Sequence, residues 1–370
     1  MIINSTKEFK EVCKTILMAI DTSEQSLVSE TLELVNENEV LTLSVTNREY
    51  FVSVKLPLQE EETFRATVNA NLFLRLVSQL TTDTLELVAD GNSLVIKADG
   101  TYKLPLIYKD ENLLELPRID LGNITTNMNI SGLVLNSILT YNSRELQSAK
   151  VVYKPVQKMY YLDDKGAITF TTGACVNSFD LERPVKLLLS QKVVKLFKLF
   201  LEDDKVAFEL AQDPNVDGTV STKVRFSTDN IEITAITPSD TQLIESVPVD
   251  VIRATANKGY DYSVVLDKEY LVKALSRLAL FKKDDLTVAL ELAFKTDSCT
   301  LTYCDNEEVL GYQDDWTEGL DYTMYLNINT LKNIVDGCLE EYLTLSFGDH
   351  KGVVLSRQNI KNVIPELVMR

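Results

Sequence analysis

Three lysines, at positions 192, 195 and 198, lie at three-residue spacing in the stretch SQKVVKLFKLFL, residues 190–201. On a helix this spacing places the ammonium groups along one side, where they can attract anions such as phosphate groups. The chain contains 55 acidic and 37 basic residues and has a formal net charge of −18, yet no acidic residue lies among these lysines. The sequence therefore predicts a positively charged helix face that binds an anionic partner.

Apolar side chains of the same helix fall on the opposite arc. This arc comprises Val193, Val194, Leu196, Phe197, Phe200 and Leu201, with Leu199 at its edge. Basic residues recur on the other predicted helices, so the full candidate DNA-binding set is Lys7, Lys10, Lys14, Arg75, Lys192, Lys195, Lys198, Lys273, Arg277 and Lys332. The alternative is that lysines merely decorate solvated helix faces. The recurrence argues against it, as does the clustering of acids elsewhere, for example at 202–204.

Patterns typical of catalytic or metal sites do not stand out in the sequence. The chain lacks a glycine-rich phosphate loop ending in lysine, and its one histidine, His350, lies in a predicted turn. The paired aspartates, 163–164, 203–204, 284–285 and 314–315, lie at element ends, where acids favour turns. Residues 213–218 resemble the start of a calcium loop, but Val224 replaces the glutamate of its twelfth position. We expect no catalytic residue, no metal site and no cofactor.

Composition is ordinary for a soluble globular protein, with 45% hydrophobic and 25% charged residues. No apolar run approaches the roughly 18 residues needed to cross a bilayer, and the first residues do not resemble a secretion signal. The five cysteines are scattered and odd in number, which is typical of reduced thiols. These features predict a cytoplasmic protein without membrane contact.

The chain contains a threefold internal repeat. A helix followed by two short strands is predicted to begin at an Asn69 cap, at Ser190 and at Leu326. The last leucine of the first strand in each copy is Leu87, Leu210 or Leu345, at intervals of roughly 130 residues. Each copy is about the size of one domain.

Each repeat also opens with a helix, at residues 5–20, 133–143 and 267–281, and Ser5 with Glu8 fits a capping box for the first. Alternating strands follow each opening helix. We therefore predict an α+β fold of three repeated domains, each with the order helix, strands, helix, strands. The predicted domains are 1–118, 119–255 and 256–370, with residues 111–123 and 250–261 as connecting segments.

This organisation resembles the bacterial DNA polymerase III beta subunits, the sliding-clamp family. Repeat architecture, length and basic helix faces in an acidic chain carry the resemblance, and it covers all 370 residues. It implies three clamp domains, each with two helices packed on antiparallel β-sheets. Two chains would join head to tail in a closed ring with helices lining the hole. Eukaryotic and archaeal clamps have two such repeats and form trimers, so three repeats imply a homodimer.

The resemblance also implies a groove for partner peptides. One wall in the family is a Thr-Asp-Gly-His-Arg-Leu segment, and the matching residues here are Thr171, Thr172, Gly173, Ala174, Cys175 and Val176. Thr172, Ala174 and Cys175 replace the acid, histidine and arginine of that pattern. The family's apolar C-terminal tail corresponds to Leu367, Val368, Met369 and Arg370, and the alternative is that this tail is only the last strand of the third domain.

The subunit contact of the family pairs an edge strand of the first domain with the third domain of the other chain. The corresponding segments here are residues 100–107 and 278–285. Tyr102, Leu104, Leu280 and Phe281 would form the apolar centre of this dimer interface. The alternative is that these side chains belong to the ordinary core of their own domains.

We predict from these observations a non-enzymatic processivity factor that encircles double-stranded DNA without sequence preference and tethers a DNA polymerase. A separate clamp loader would bind through short peptide motifs, as the polymerase would. Two other classes remain open. A ring-forming structural protein, such as a phage tail or baseplate component, predicts no bias of basic residues to helices. A nucleotide-processing enzyme requires a cluster of polar residues that the sequence does not reveal.

Overall fold

The computed structural model describes residues 1–21, 26–58, 62–148, 154–214, 220–281, 289–313, 318–348 and 352–368. Several positions considered above lie outside these described residues: the 284–285 and 314–315 aspartates, His350, Met369, Arg370 and most of 213–218.

The helices of the described chain are α1 (Thr6–Leu17), α2 (Ala70–Gln79), α3 (Gly132–Ser137), α4 (Ser143–Ser148), α5 (Gln191–Lys195), α6 (Thr241–Glu245), α7 (Val249–Ala256), α8 (Lys268–Leu278) and α9 (Ile328–Asp336). A π-helical turn, Ile138–Asn142, joins α3 to α4, and 3₁₀ turns follow α5 (Leu196–Leu199) and α8 (Ala279–Phe281). A further 3₁₀ turn spans Pro155–Lys158. In the described residues, every helix falls short of the length and apolar character that crossing a bilayer requires.

The first half of the chain supplies the strands β1 (Ile2–Ile3), β2 (Thr31–Glu37), β3 (Val40–Thr46), β4 (Tyr50–Pro57), β5 (Phe64–Asn69), β6 (Leu85–Asp90), β7 (Ser93–Lys97), β8 (Thr101–Pro105), β9 (Tyr108–Lys109), β10 (Asn112–Leu113), β11 (Ile124–Ser131), β12 (Met159–Asp163), β13 (Gly166–Phe170), β14 (Ala174–Ser178) and β15 (Lys186–Ser190). The second half supplies β16 (Lys205–Pro214), β17 (Val220–Ser227), β18 (Ile231–Thr237), β19 (Tyr262–Asp267), β20 (Leu290–Phe294), β21 (Ser298–Tyr303), β22 (Asn306–Gly311), β23 (Tyr322–Leu326), β24 (Tyr342–Phe347), β25 (Val353–Arg357) and β26 (Ile360–Ile364).

These strands form antiparallel sheets. Two sheets have eight described strands each, in the orders β11-β16-β17-β18-β4-β3-β2-β5 and β15-β12-β13-β14-β26-β25-β24-β19. Two smaller sheets have the orders β1-β6-β7-β8 and β22-β21-β20-β23, and β9 pairs with β10. The predicted α+β class with helices on antiparallel sheets is confirmed.

The threefold repeat is visible in individual hydrogen bonds. The side chains of Asn69 and Asn327 cap α2 and α9 by accepting from the amide three residues later, and Ser190 accepts in the same way from the Val193 amide. Leu87, Leu210 and Leu345, used above to align the copies, are buried on β6, β16 and β24.

A second repeated bond ties the start of each opening helix to the chain after the second helix. The amide of Thr6 donates to the Asp83 carbonyl over 2.8 Å. The amides of Gly132 and Lys268 make the corresponding bonds to Asp204 (2.9 Å) and Glu341 (2.8 Å). In the second copy a Cβ on Gly132 would lie 1.8 Å from the carbonyl oxygen of Leu201, so only glycine fits there.

Two compact units divide the chain differently from its sequence repeats. The first contains Met1–Leu135 and Lys195–Ser239, and the second contains Asn136–Val194 and Asp240–Arg370. Each unit includes one eight-stranded sheet whose strands come from two repeats, because β18 pairs with β4 in one and β14 with β26 in the other. This pairing covers strand edges that each repeat would otherwise expose. The domain boundaries near 118 and 255 stay a prediction.

The cores lie between helices and sheets. In the first unit Phe9 of α1 meets Phe73 of α2 edge to face, with 6.2 Å between ring centroids. In the second unit Phe294 and Phe347, from different sheets, stack at 4.1 Å under the buried side of α8.

The segment 250–261 differs from the sequence prediction of a connecting segment. Its first seven residues belong to α7, which packs on β14 and β26. The apolar residues at its start are spaced for one helix face, which is why this part is helical.

Candidate functional site

The predicted lysine face lies on α5 and the 3₁₀ turn that follows it. Lys195 and Lys198 are exposed, and Lys192 is half-buried. Because a 3₁₀ turn has three residues per turn, Lys198 lies directly above Lys195.

The opposite side of this helix is buried as predicted for Val193, Val194, Leu196, Phe197 and Phe200. Two leucines depart from the expected arc, because Leu199 is buried and Leu201 is 73% exposed. The prediction assumed an α-helical spacing throughout, whereas the tighter turn ends at residue 199 and the chain then changes direction.

Lys195 and Lys198 are the two exposed lysines of this helix and turn. Among the described residues, neither forms an ion pair with a carboxylate. Partial burial, and then the neighbouring Lys195 charge, lowers the pKa of the Lys198 ammonium group. Because two like charges side by side are unfavourable, an arriving phosphate group would relieve their repulsion. Anion binding by this pair stays a prediction.

Other predicted DNA-binding residues already have partners. Surface ion pairs join Lys14 to Glu11 (2.6 Å), Lys273 to Glu269 (2.5 Å), Arg277 to Glu308 (2.5 Å) and Lys332 to Asp336 (2.8 Å). Lys10 donates to the Leu80 carbonyl, while Lys7 and Arg75 are exposed. Exposed ion pairs contribute little stability, so a phosphate can replace the carboxylate. A DNA contact by these residues stays a prediction.

The second unit brings the predicted groove residues next to the last strand. Ala174 on β14 is paired with Val363 on β26, and Cys175 with Asn362. A Cβ on Gly173 would lie 2.4 Å from the Val363 carbonyl oxygen, which explains why glycine is needed there. The structure therefore pairs the 171–176 stretch with β26, the strand that precedes the C-terminal tail.

Alternation along β14 sends its side chains to two faces of the sheet. Ala174 and Val176 belong to an apolar cluster with Val363 at its edge. Cys175 is buried on the other face, where burial raises the pKa of its thiol to about 12 and keeps it protonated. Thr172 is exposed.

The described part of the C-terminal tail continues along the second unit. The Leu367 amide donates to the Tyr325 carbonyl over 2.7 Å, and Val368 is 87% exposed. An exposed apolar side chain of this kind is available to a partner.

Sequence reasoning missed Glu145, which lies behind the groove. This side chain is fully buried on α4 and accepts a 2.6 Å hydrogen bond from the Thr171 hydroxyl. Burial raises the pKa of Glu145 to about 7, although bonds from Thr171 and Gly173 act in the opposite direction. A glutamate in an amphipathic helix carries no sign of burial in its sequence, so only the fold reveals it.

Replacing Glu145 by glutamine is expected to stabilise the protein at about pH 8 and to change little at about pH 5. The folded chain holds the Glu145 proton more tightly than the unfolded chain does. The neutral Glu145 carboxyl therefore stabilises the fold fully at pH values below 4.5, the ordinary pKa of a glutamate. This stabilisation is lost as the pH rises through about 7. At about pH 8 the free energy of unfolding of the glutamine variant should exceed that of wild type by about 3 kcal/mol at most. Urea unfolding of both proteins at both pH values measures it, and an equal difference at both would contradict the assignment.

A second buried polar group missed by the sequence is Arg357 on β25, only 4% exposed. Its guanidinium donates to the Cys338 Sγ over 2.7 Å and to the Asn362 Oδ1 over 2.9 Å. It also lies 4.7 Å from the centre of the Tyr141 ring, and its Nε is 4.0 Å from Glu340 Oε2. The π-helical turn between α3 and α4 supplies Tyr141, so this cluster ties a helix of the second repeat to strands of the third.

The predicted dimer residues occupy two exposed elements. Tyr102 and Leu104 lie on β8, at the edge of its four-stranded sheet, but Leu104 is buried in the core of that sheet. Leu280 and Phe281 end the turn after α8 and are 81% and 49% exposed. The dimer interface stays a prediction, and its apolar centre is narrower than expected because Leu104 faces inward.

In the described ranges, no group of three or more histidine, cysteine, aspartate or glutamate side chains is placed to hold a metal ion. The 163–164 pair has a structural role instead, because Asp163 forms a bidentate ion pair with Arg253. Asp204 accepts a 2.7 Å bond from the Leu201 amide at the turn after α5. These contacts agree with the prediction that paired aspartates serve turns and element ends.

Comparison with known proteins places this fold. No protein-family model matches the chain. The beta sliding clamp of Mycoplasmopsis pulmonis (strain UAB CTIP) is 27% identical over 150 residues, and the match spans 39% of this chain and only 35% of that relative.

Solved structures match over the whole length. The DNA polymerase III subunit beta of Pseudomonas aeruginosa bound to griselimycin has a TM-score of 0.81 at 16% identity, covering 100% of this chain and 99% of that one. The subunit from Borrelia burgdorferi has the same TM-score, identity and coverage. The Helicobacter pylori beta clamp bound to a DNA ligase peptide has a TM-score of 0.74 at 13% identity, with complete coverage of both chains. The resemblance predicted from the sequence is therefore confirmed, and the chain has the fold of the bacterial DNA polymerase III beta subunits, the sliding clamps.

Proposed function

We propose that this protein is a DNA sliding clamp, a non-enzymatic processivity factor of the cytoplasm that encircles duplex DNA and tethers a DNA polymerase. The observation that carries the proposal is the full-length match to sliding-clamp structures, at a TM-score of 0.81. The partial sequence match to a beta sliding clamp points the same way.

The lysine face supports the DNA-binding part of the proposal. Lys195 and Lys198 offer two closely spaced charges without carboxylate partners among the described residues. Such lysines contact phosphate groups and make no base-specific hydrogen bonds. They therefore permit movement along the duplex. The negative charge of the chain as a whole disfavours DNA contact elsewhere on its surface.

The groove supports the partner-binding part. The Helicobacter pylori clamp structure contains a DNA ligase peptide, and the apolar strip of Ala174, Val176 and Val363 has the chemistry to hold apolar side chains of such a segment. Polymerase and clamp loader would dock there through short peptide motifs.

Head-to-tail dimerisation would complete a ring. Leu280 and Phe281 are exposed apolar residues beside each other, and β8 has a free edge within the described residues. In a head-to-tail contact, two different surfaces of the chain meet. An exposed edge strand on one chain and an apolar patch on the other suit such a contact.

Mass in solution and retention on DNA test this function together. We expect light scattering to give a dimer of twice the 41.7 kDa chain. The subunits are mixed with nicked circular DNA and the mixture is then concentrated, so that dimers close around the DNA. We expect these dimers to remain bound through a high-salt wash and to leave when the circle is cut. An assembly that binds circular and linear DNA equally, or neither, would contradict the proposal and favour a structural ring protein.

A further inference from the structure

Helices α6 and α7 form a cover over the groove face of the second unit; we call residues 241–256 the cover segment. In α7, the side chains of Val249, Ile252 and Ala256 recur at the spacing of one helix face. Ile252 and Ala256 are 8% and 2% exposed, whereas Val251 on the other side is 67% exposed. One face of α7 is therefore pressed against the protein.

The surface beneath this face is the groove itself. α7 packs on β14 and β26, and its Ile252 and Ala256 share one apolar cluster with Ala174, Val176 and, at the margin, Val363. If α7 were removed, Ala174, Val176 and Val363 would form an apolar strip open to solvent. A partner's apolar side chains can reach them only if α7 moves away.

Side-chain contacts from β12 and β26 fasten α7, and the Tyr260 hydroxyl also donates to the Thr255 carbonyl. Arg253 donates to both carboxylate oxygens of Asp163 over 2.6 and 2.7 Å, and this bidentate geometry raises the pKa of the Arg253 guanidinium. At the far end the Lys361 Nζ donates to the Asn257 Oδ1 over 2.9 Å. The Arg253 and Lys361 contacts join α7 to two different strands, so each is a point at which the helix can be released.

Apolar anchoring of the cover segment is small compared with that of a core helix. α7 buries Ile252 and Ala256, and the chain before it buries Val247, whereas α8 alone buries Leu271, Ala274, Leu275 and Leu278. A pocket of about 390 Å³ also lies beside the segment and is lined by Ile244, Tyr161 and Lys186 among others. Elements with few buried contacts open at a lower free energy than the rest of a protein.

We propose that the cover segment is an autoinhibitory lid, in which α7 occupies the site of a partner peptide's apolar side chains and must be displaced for the peptide to bind. This inference rests on the proposed partner groove. The ion pair of Arg253 with Asp163 sets the fraction of molecules with an open groove, and the apparent affinity for a peptide is reduced by that fraction.

Replacing Arg253 by alanine in the full-length protein tests the lid. We expect hydrogen exchange at the α7 amides to accelerate about tenfold while exchange in β14 and β26 is unchanged, because the lid opens locally. The affinity for two probes, griselimycin and the Helicobacter DNA ligase peptide, should rise by a similar factor. Lys361→Ala should act in the same direction by releasing the other end.

Arg225→Ala provides the matched control, since it removes a similarly half-buried arginine–carboxylate pair, with Glu209, on the other unit. This variant should change neither α7 exchange nor probe affinity. Faster α7 exchange in Arg253→Ala with unchanged or weaker probe binding would overturn the inference, as would unchanged exchange. Failure of the wild-type protein to stay on circular DNA would instead count against the clamp function, which these measurements do not involve.

Discussion

Replacing Arg357 by alanine is expected to lower the free energy of unfolding of the second unit by about 3–5 kcal/mol, the combined cost of a large-to-small substitution in a core and of polar groups left without a partner. The guanidinium is almost completely buried among the Cys338 thiol, the Asn362 amide and the Tyr141 ring. Its removal leaves those polar groups without their donor and opens a cavity between β25 and the π-helical turn.

Lysine at the same position is expected to restore less than half of this loss. An ammonium group retains the charge but has neither the planar fork that reaches Cys338 and Asn362 together nor the flat face that stacks on Tyr141. Arg183→Ala, at an exposed position of the same unit, should stay within about 0.5 kcal/mol of wild type.

Urea titration followed by hydrogen exchange of β25 and β26 measures this effect in the unit concerned. A loss below about 1 kcal/mol for Arg357→Ala would mean that the cluster adds no more than an ordinary surface contact. Full recovery by Arg357→Lys would show that charge alone matters, not the geometry of the guanidinium.

Charge reversal of Lys195 and Lys198 to glutamate is expected to weaken binding to duplex DNA by at least about tenfold at about 100 mM salt, and to reduce the salt dependence by about two counterions. Both side chains are exposed and lie one above the other. Replacing them turns an attraction for phosphate into a repulsion. The fold should persist, because both side chains lie on the exposed side of the helix and turn, opposite the buried arc.

The matched control reverses two exposed charges away from the predicted face, Lys165 and Arg183, and so changes the net charge equally. We expect this variant to lose less affinity than the Lys195 and Lys198 variant, because only the overall field has changed. Fluorescence anisotropy with a duplex oligonucleotide, across a series of salt concentrations, measures both quantities. Equal losses in the two variants would contradict a specific role for the α5 face.

Local signals in the sequence were enough to predict the repeat and its helices. Asn69 and Ser190 cap helices at the positions predicted from the sequence. The prediction is possible because a capping side chain bonds an amide only three residues later. The apolar arc of α5 and its lysine side follow from helix geometry in the same local way. The chain length and the threefold repeat then predicted the sliding-clamp fold, which the comparisons confirm.

Features that depend on remote residues were decided by the tertiary structure. Leu201 became exposed because a 3₁₀ turn ended the helix early, and Glu145 and Arg357 became buried because strands distant in sequence closed over them. The sequence placed Ala174 and Val176 in a partner groove, but only the fold revealed that α7 lies on them. Caps and helix faces are set by neighbours along the chain. Burial, pKa shifts and the occupation of a groove are set by which elements meet in space.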